Sequence, residues 1–116
     1  MSPITRQQSD ARLSRVVTHN GIAYLAGITA DNRAAPIKGQ TEQILKNIDE
    51  LLGVAGTDKT RILSTVIYVS DMRLKAQMDE AWAAWMDPKH SPARACVETR
   101  LGTRDTLVEI MVVAAQ

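Results

Sequence analysis

The sequence predicts one α+β domain in which two helices cover one face of a mixed sheet. The chain has 116 residues, of which 45% are hydrophobic, so residues 1–116 suit a single packed core. Two stretches have helical periodicity, and each lies between stretches with strand periodicity. The other strand candidates form pairs at the two ends of the chain. The expected element order is therefore ββαβαββ.

The first strands are expected before residue 29. Ile4 to Gln8 fits a short strand or an extended arm, and residues 15–19 fit a strand. Asn20-Gly21 is a hairpin turn signal because both residues tolerate positive φ, so residues 22–28 become the second arm. Gly27 lies inside this arm and indicates a bulge or a close approach of the backbone to a ligand.

The first helix is expected between Gln40 and Val54. Its apolar positions share one face, and Gly53 with Gly56 ends it. These positions are Ile44, Leu45, Ile48, Leu51 and Leu52.

The second helix is expected to follow an N-cap at Ser70-Asp71 and to end at Pro88. Trp82 and Trp85 on its apolar face are expected to anchor the core. Asp79 is expected to be a solvated residue of the same helix, with Lys75 nearby.

Two strands are apolar on both faces. Residues 61–69 place Ile, Val and Tyr on one face and Leu, Ile and Val on the other, and residues 107–115 behave alike apart from Glu109. Strands of this kind are buried on both faces. Because two helices cover only one face, the second face is expected to meet another subunit in a closed oligomer.

The last quarter, residues 91–116, is expected to form a hairpin closed through residues 102–105. Arg94 lies near the start of its first strand, and Glu109 interrupts the apolar run of its second strand. A buried carboxylate is costly unless it is paired. Two alternatives stay open: a structural ion pair between Arg94 and Glu109, within the chain or across an interface, or a site in which the arginine fork grips a carboxylate.

Cys96 shares its strand parity with Arg94, so both side chains are expected on one face. As the only cysteine it makes no internal disulfide, which favours a reducing cytosol. It is interpreted as a nucleophile, a pocket wall or an inert core residue, of which the last is the common case.

Composition argues against several classes of protein. The net charge is +1 with both signs interspersed, which gives no footprint for nucleic acid or an anionic membrane. The first residues are too polar for a signal peptide, and no apolar run approaches the roughly 20 residues of a membrane span. Two histidines and one cysteine without ligand spacing predict no metal site, and no glycine-rich phosphate loop is present.

Several segments resemble the RidA (YjgF-type) family of reactive-intermediate deaminases, which hydrolyse enamines and imines. The most specific is Pro92-Ala93-Arg94-Ala95-Cys96-Val97-Glu98, followed by Val108-Glu109-Ile110. The segments Gly39-Gln40-Thr41, Leu45-Lys46-Asn47-Ile48 and Thr65-Val66-Ile67-Tyr68-Val69 fit as well. The resemblance extends from about residue 13 to the last strand.

This resemblance implies a chorismate-mutase-like fold and a homotrimer with clefts between subunits. It implies that Arg94 binds the substrate carboxylate, that Glu109 positions or activates the attacking water, and that Cys96 lines the pocket. A small 2-imino or 2-enamino acid would yield a 2-keto acid and ammonia, and no cofactor is needed because an imine is already electrophilic.

The sequence also departs from the family pattern. A tyrosine is absent from residues 13–16, Ala26 replaces a serine before Gly27, and Asp79 replaces an asparagine. Arg15 is either an added positive charge in the cleft or a surface residue. Arg15, Ala26 and Gly27 therefore join Arg94 and Cys96 as substrate-binding candidates.

The departures leave alternative functions open. One is a non-catalytic trimer that binds carboxylate metabolites, and another is a hydrolase of a different acrylate-derived metabolite. Some family members have been linked to RNA cleavage, but a net charge near zero without a basic aromatic stripe argues against it here.

Overall fold

The computed structural model describes residues 2–116, which form seven strands and two α-helices. The strands are β1 (Thr5–Ser9), β2 (Ser14–His19), β3 (Ile22–Leu25), β4 (Ile28–Thr29), β5 (Ile62–Val69), β6 (Ala93–Glu98) and β7 (Val108–Ala115). The helices are α1 (Ile37–Val54) and α2 (Lys75–Trp85). The α+β class with two helices is confirmed, and Asn20 and Gly21 adopt the positive φ expected of the β2–β3 turn.

One mixed sheet contains every strand. Its order is β1-β2-β3-β7-β5-β6, with the short β4 also paired to β7. β6 runs parallel to β5, whereas the other neighbours are antiparallel. The expected hairpin of the last quarter is wrong, because β5 lies between β6 and β7. Helix α2 carries the chain from β5 to the parallel β6, as a crossover must, and residues 99–107 then carry it past β5.

Helix α1 begins at Ile37, three positions before the expected start. Pro36 lies at its N-cap with φ of −64°, and proline is well tolerated at this end because no helical donor is lost. The Ile37 side chain is fully buried, so packing extends the helix backwards through Gly39 despite the weak propensity of glycine.

A buried amide ties α1 to the segment that precedes β7. Gln40 is completely buried, and its Nε2 donates to the carbonyls of Arg33, Ala35 and Asp105 at 2.9 to 3.1 Å. Its Oε1 accepts from the backbone N–H of Leu107 at 3.0 Å. One side chain thus satisfies backbone groups that would otherwise be buried without partners.

Both helices pack on one face of the sheet, where the core lies. Its fully buried members include Ile44, Ile48, Leu52, Ile67, Met78 and Ile110. The opposite face is not covered within the chain, although it carries large apolar side chains. Tyr24 is 48% exposed there, and Met111 is 37% exposed. The expectation of helices on one face and an uncovered apolar second face is confirmed.

None of the helices in residues 2–116 has the length and apolar character needed to cross a membrane.

Candidate functional site

Glu109 lies on the uncovered face of the sheet, beside the backbone of Gly27. In β7 it is flanked by the buried Val108 and Ile110, so its own side chain points away from the helices. A Cβ atom added at Gly27 would lie 2.5 Å from Oε2 of Glu109. The break between β3 and β4 therefore makes room for this carboxylate. Gly27 interrupts the expected second arm of residues 22–28, and the group beside it within the chain is the Glu109 side chain. The approach of a ligand to its backbone stays a prediction.

An open cavity of about 330 Å³ surrounds Glu109. Tyr68, the register partner of Glu109 on β5, forms one wall. The segment after β6 forms another wall and contributes Arg100 and Leu101. Sequence reasoning did not identify Tyr68 or Arg100. The alternation of β5 could have indicated Tyr68, since it lies on the face opposite the buried Ile67 and Val69.

A second cavity of about 300 Å³ contains three of the predicted pocket residues. Arg15, Ala26 and Gly27 line it, together with Arg33 and Asn47. The Arg15 side chain is exposed and extends from the uncovered side of β2. Because Gly27 lines both cavities, its backbone separates the surroundings of Glu109 from those of Arg15.

Arg94 lies at the sheet edge, on the face that carries the helices. It is the register partner of Thr65, whose side chain is buried beneath the helix layer. Its Nη1 lies 2.8 Å from Oδ1 of Asp79 in α2, and its Cζ lies 5.5 Å from the centre of the Trp82 ring. The N–H groups on Nη1 of Arg94 do not point at Oδ1 of Asp79 as an aligned hydrogen bond requires. The contact between Arg94 and Asp79 is therefore a close ion pair. The arginine keeps 24% of its side chain exposed.

Lys75 completes this cluster on α2. Its Nζ donates to Oδ2 of Asp79 at 2.6 Å, one helical turn away. Burial by itself would raise the pKa of Asp79, but the hydrogen bond from Lys75, the close contact with Arg94 and the positive charges of both outweigh it. The pKa of Asp79 therefore lies below its ordinary value. The expectation that Asp79 is merely solvated is wrong; its spacing of three from Trp82 could have placed it toward the sheet.

Cys96 is half-buried on the same face as Arg94 and packs against the core. Burial raises the pKa of its thiol, although the charges of Arg94 and Lys75 act in the opposite direction. A thiol of this kind stays protonated near neutral pH, which favours its interpretation as a wall rather than a nucleophile.

Arg94 and Glu109 do not form an ion pair within the chain. They lie on opposite faces of the sheet, with β5 between their strands. The intrachain alternative assumed that β6 and β7 pair, which they do not. The predicted residues thus form two groups: Arg94 with Cys96 beside α2, and Glu109 with Gly27 on the uncovered face.

Comparison with known proteins gives consistent relatives. The family model described as Endoribonuclease L-PSP matches residues 4–116. A RutC family protein of Haemophilus ducreyi is 39% identical over 112 residues, which cover 97% of this chain and 96% of that protein. The chloroplastic Reactive Intermediate Deaminase A of Arabidopsis thaliana is 27% identical over 107 residues, 87% of this chain and 57% of that protein.

Solved structures agree with the fold. A member of the YjgF protein family from Neisseria meningitidis superposes with a TM-score of 0.95 at 36% identity, covering 98% of this chain and 95% of that one. An uncharacterised protein from Pseudomonas aeruginosa gives a TM-score of 0.95 at 33% identity, covering 98% and 99% of the two chains.

Proposed function

Because the chain belongs to the Endoribonuclease L-PSP family, whose relatives include RutC and YjgF proteins, we propose that it hydrolyses small 2-imino and 2-enamino acids. The products are a 2-keto acid and ammonia. The observation that carries this proposal is Arg94, an arginine held in place at the sheet edge that keeps part of its side chain exposed. Such a group suits the carboxylate that every 2-imino acid carries.

The proposed site lies between copies of the chain. Arg94 and Glu109 lie on opposite faces of one sheet, so Glu109 of a neighbouring copy must approach Arg94 for the two to share a ligand. The uncovered face, with Tyr24 and Met111 exposed, suits such an interface. We take the assembly to be a homotrimer, the form that the family resemblance implies.

The proposed chemistry begins with the carboxylate on Arg94, which orients the imine carbon. An enamine substrate first becomes the imine by proton transfer from nitrogen to carbon. Water then attacks the C=N carbon: a C–O bond forms, the electron pair of the C=N bond moves to nitrogen, and Glu109 takes the water's proton and passes it to that nitrogen, which gives the carbinolamine. In the second step Glu109 takes the proton of the carbinolamine hydroxyl and passes it to the nitrogen as the C–N bond breaks. Ammonia leaves, and the keto group remains.

Binding without catalysis is the second candidate function. Arg94 alone suffices to hold a carboxylate, and Glu109 of the same chain lies on the opposite face of the sheet. RNA cleavage is less favoured, since the formal net charge of +1 provides little attraction for a polyanion. A cytosolic location remains part of the proposal, resting on the single cysteine.

The test is a coupled assay in which an amino-acid oxidase generates imines from several amino acids. Imine that survives is trapped as its semicarbazone, and the rate of loss is compared for wild type, Arg94→Ala and Arg73→Ala. Arg73 is a suitable control because it is 89% exposed and pairs only with the neighbouring Asp71 among residues 2–116. Faster loss with wild type and Arg73→Ala, but not with Arg94→Ala, is expected. A rate equal to the spontaneous one for every imine would favour the binding function.

A further inference from the structure

The guanidinium of Arg94 is held on two sides by α2. Oδ1 of Asp79 lies 2.8 Å from Nη1, and Cζ lies over the Trp82 ring, 5.5 Å from its centre. Both contacts restrain the guanidinium. An arginine held in both ways loses little further freedom when it binds a ligand.

The oxygen of Asp79 that contacts Arg94 is closed to a ligand. This Oδ1 is fully buried, whereas Oδ2 accepts the hydrogen bond from Lys75 at 2.6 Å. Oδ1 therefore acts on a ligand at the sheet edge by way of Arg94. Lys75, Asp79 and Arg94 together carry one net positive charge, so the cluster still attracts an anion.

The contact at Nη1 leaves the other edge of the guanidinium, formed by Nε and Nη2. This edge presents two parallel N–H groups that match the two oxygens of a carboxylate. The same chain uses this edge elsewhere: Nε and Nη2 of Arg73 lie 3.1 and 2.7 Å from Oδ2 of Asp71. Among residues 2–116, Asp79 is the sole ion-pair partner of Arg94, so its Nε–Nη2 edge has no competing carboxylate.

We propose that Asp79 is a positioning residue that holds the Nη1 edge of Arg94 and thereby presents its Nε–Nη2 edge as a fixed fork for a ligand carboxylate. The identity of that ligand rests on the proposed function, whereas the clamp on Arg94 does not. Asp79 stands where the resemblance places an asparagine, so a neutral amide with the same shape is the informative replacement.

The first test observes Arg94 without any ligand. In ¹⁵N spectra of the arginine side chains, with Arg94 assigned through Arg94→Lys, wild type and Asp79→Asn are expected to give separate Nη1 and Nη2 signals. Asp79→Ala is expected to merge them, because rotation about the Nε–Cζ bond is no longer restrained. Separate signals in Asp79→Ala would overturn the proposal. Asp79→Ser, too short to reach Nη1, serves the same purpose where the alanine variant is unfolded.

The second test measures the binding of 2-oxobutyrate by calorimetry. Asp79→Asn and Asp79→Ala both remove the negative charge and the carboxylate oxygen that accepts from Lys75, but only asparagine keeps an oxygen that can contact Nη1. Asp79→Ala is expected to bind about 3- to 10-fold more weakly than Asp79→Asn, the cost of ordering one flexible side chain. Equal affinities would overturn the clamp. Glu80→Ala is the matched control, since Glu80 is an exposed residue of α2 that pairs only with Lys38 of α1 among residues 2–116.

The two proposals fail in different ways. The proposed function fails if Arg94→Ala binds 2-oxobutyrate as well as wild type does, or if wild type does not bind it. In that case the ¹⁵N spectra of the ligand-free protein alone test whether Asp79 holds Arg94. Merged Arg94 signals in wild type would instead reject the clamp, whatever the deaminase assay gives.

Discussion

The carboxylate of Glu109 occupies the space that a side chain at Gly27 would need. A methyl group there would lie 2.5 Å from Oε2 and 3.1 Å from Cδ of Glu109. Two residues distant in sequence are therefore fitted to each other across the gap between β3 and β4. Since Gly27 does not adopt a positive φ, the requirement for glycine comes from this contact and not from the backbone.

Gly27→Ala should fold but lose activity. The added methyl group clashes with the end of a flexible side chain, so Glu109 is expected to move while the sheet stays intact. We expect imine hydrolysis to fall at least about 10-fold, in line with the usual contribution of a displaced acid–base group, and the unfolding midpoint to change little. Gly53→Ala is the control, because nothing lies within 4 Å of a Cβ at that helical position. Full activity in Gly27→Ala would show that the position of Glu109 is unimportant.

Glu109→Gln should separate catalysis from binding. The amide keeps the shape of the side chain but cannot accept the proton of the attacking water. Imine hydrolysis is expected to fall to the spontaneous rate, while 2-oxobutyrate still binds, as measured by calorimetry. The exposed Glu50→Gln provides a matched loss of charge. Unchanged turnover in Glu109→Gln would remove this residue from the mechanism.

Met111→Glu should break the proposed trimer. Met111 is 37% exposed on the uncovered face, where an interface would desolvate the new carboxylate. Light scattering during gel filtration should give the mass of three copies for wild type and of one copy for the variant. Val54→Glu changes an equally exposed apolar residue, 41% exposed at the end of α1, and should stay trimeric. A monomeric wild type would refute the assembly.

Asp79 should contribute to stability in a way that depends on pH. Its folded pKa lies below the ordinary value of 3.8, so near that pH the unfolded chain binds more protons than the folded one. The stability from Asp79 is therefore complete above pH 3.8 and is lost as pH falls through the lower, folded pKa. Urea unfolding between pH 7 and pH 2.5 should show wild type and Asp79→Asn converging in acid. A difference that is constant over this range would contradict the pKa direction.

Gln40→Met should be strongly destabilising although methionine has a similar size. The substitution strands the buried carbonyls of Arg33, Ala35 and Asp105 and the N–H of Leu107. We expect a loss of about 2–4 kcal/mol in the free energy of unfolding, as for buried polar groups without partners. Gln43→Met is a suitable comparison, since Gln43 bonds only to the exposed Asn32 among residues 2–116. Equal losses of unfolding free energy in the two variants would mean that the buried amide of Gln40 stabilises the fold no more than the amide of Gln43 does.

Local signals in the sequence predicted the elements well. The Asn20-Gly21 turn, the helical spacing of α1 and the break at Gly27 each follow from a few neighbouring residues. The error at the β6–β7 pair has a different origin. Strand order depends on which edge a crossover helix returns to, and periodicity within a strand carries no information about its neighbours. That error placed Glu109 beside Arg94 within one chain, an arrangement that the fold prevents.

The true partner of Arg94 was missed for a related reason. Asp79 lies among polar neighbours on α2, and its position toward the sheet follows only from its spacing to Trp82 combined with the location of β6. The sequence alone does not distinguish an exposed Asp79 from one that pairs with Arg94, because that pairing depends on where the edge strand β6 lies. The residues of the candidate site were therefore predictable individually, whereas their grouping was not.

The position of β7 has a consequence for how this protein is made. It is the last strand in sequence, yet it lies inside the sheet and holds β3 and β4 on one side and β5 on the other. During synthesis the two halves of the sheet have no common neighbour until residues 108–115 have left the ribosome. The nascent chain therefore exposes the unpaired edges of β3 and β5 until residues 108–115 emerge, which makes the earlier strands prone to wrong pairing before that point.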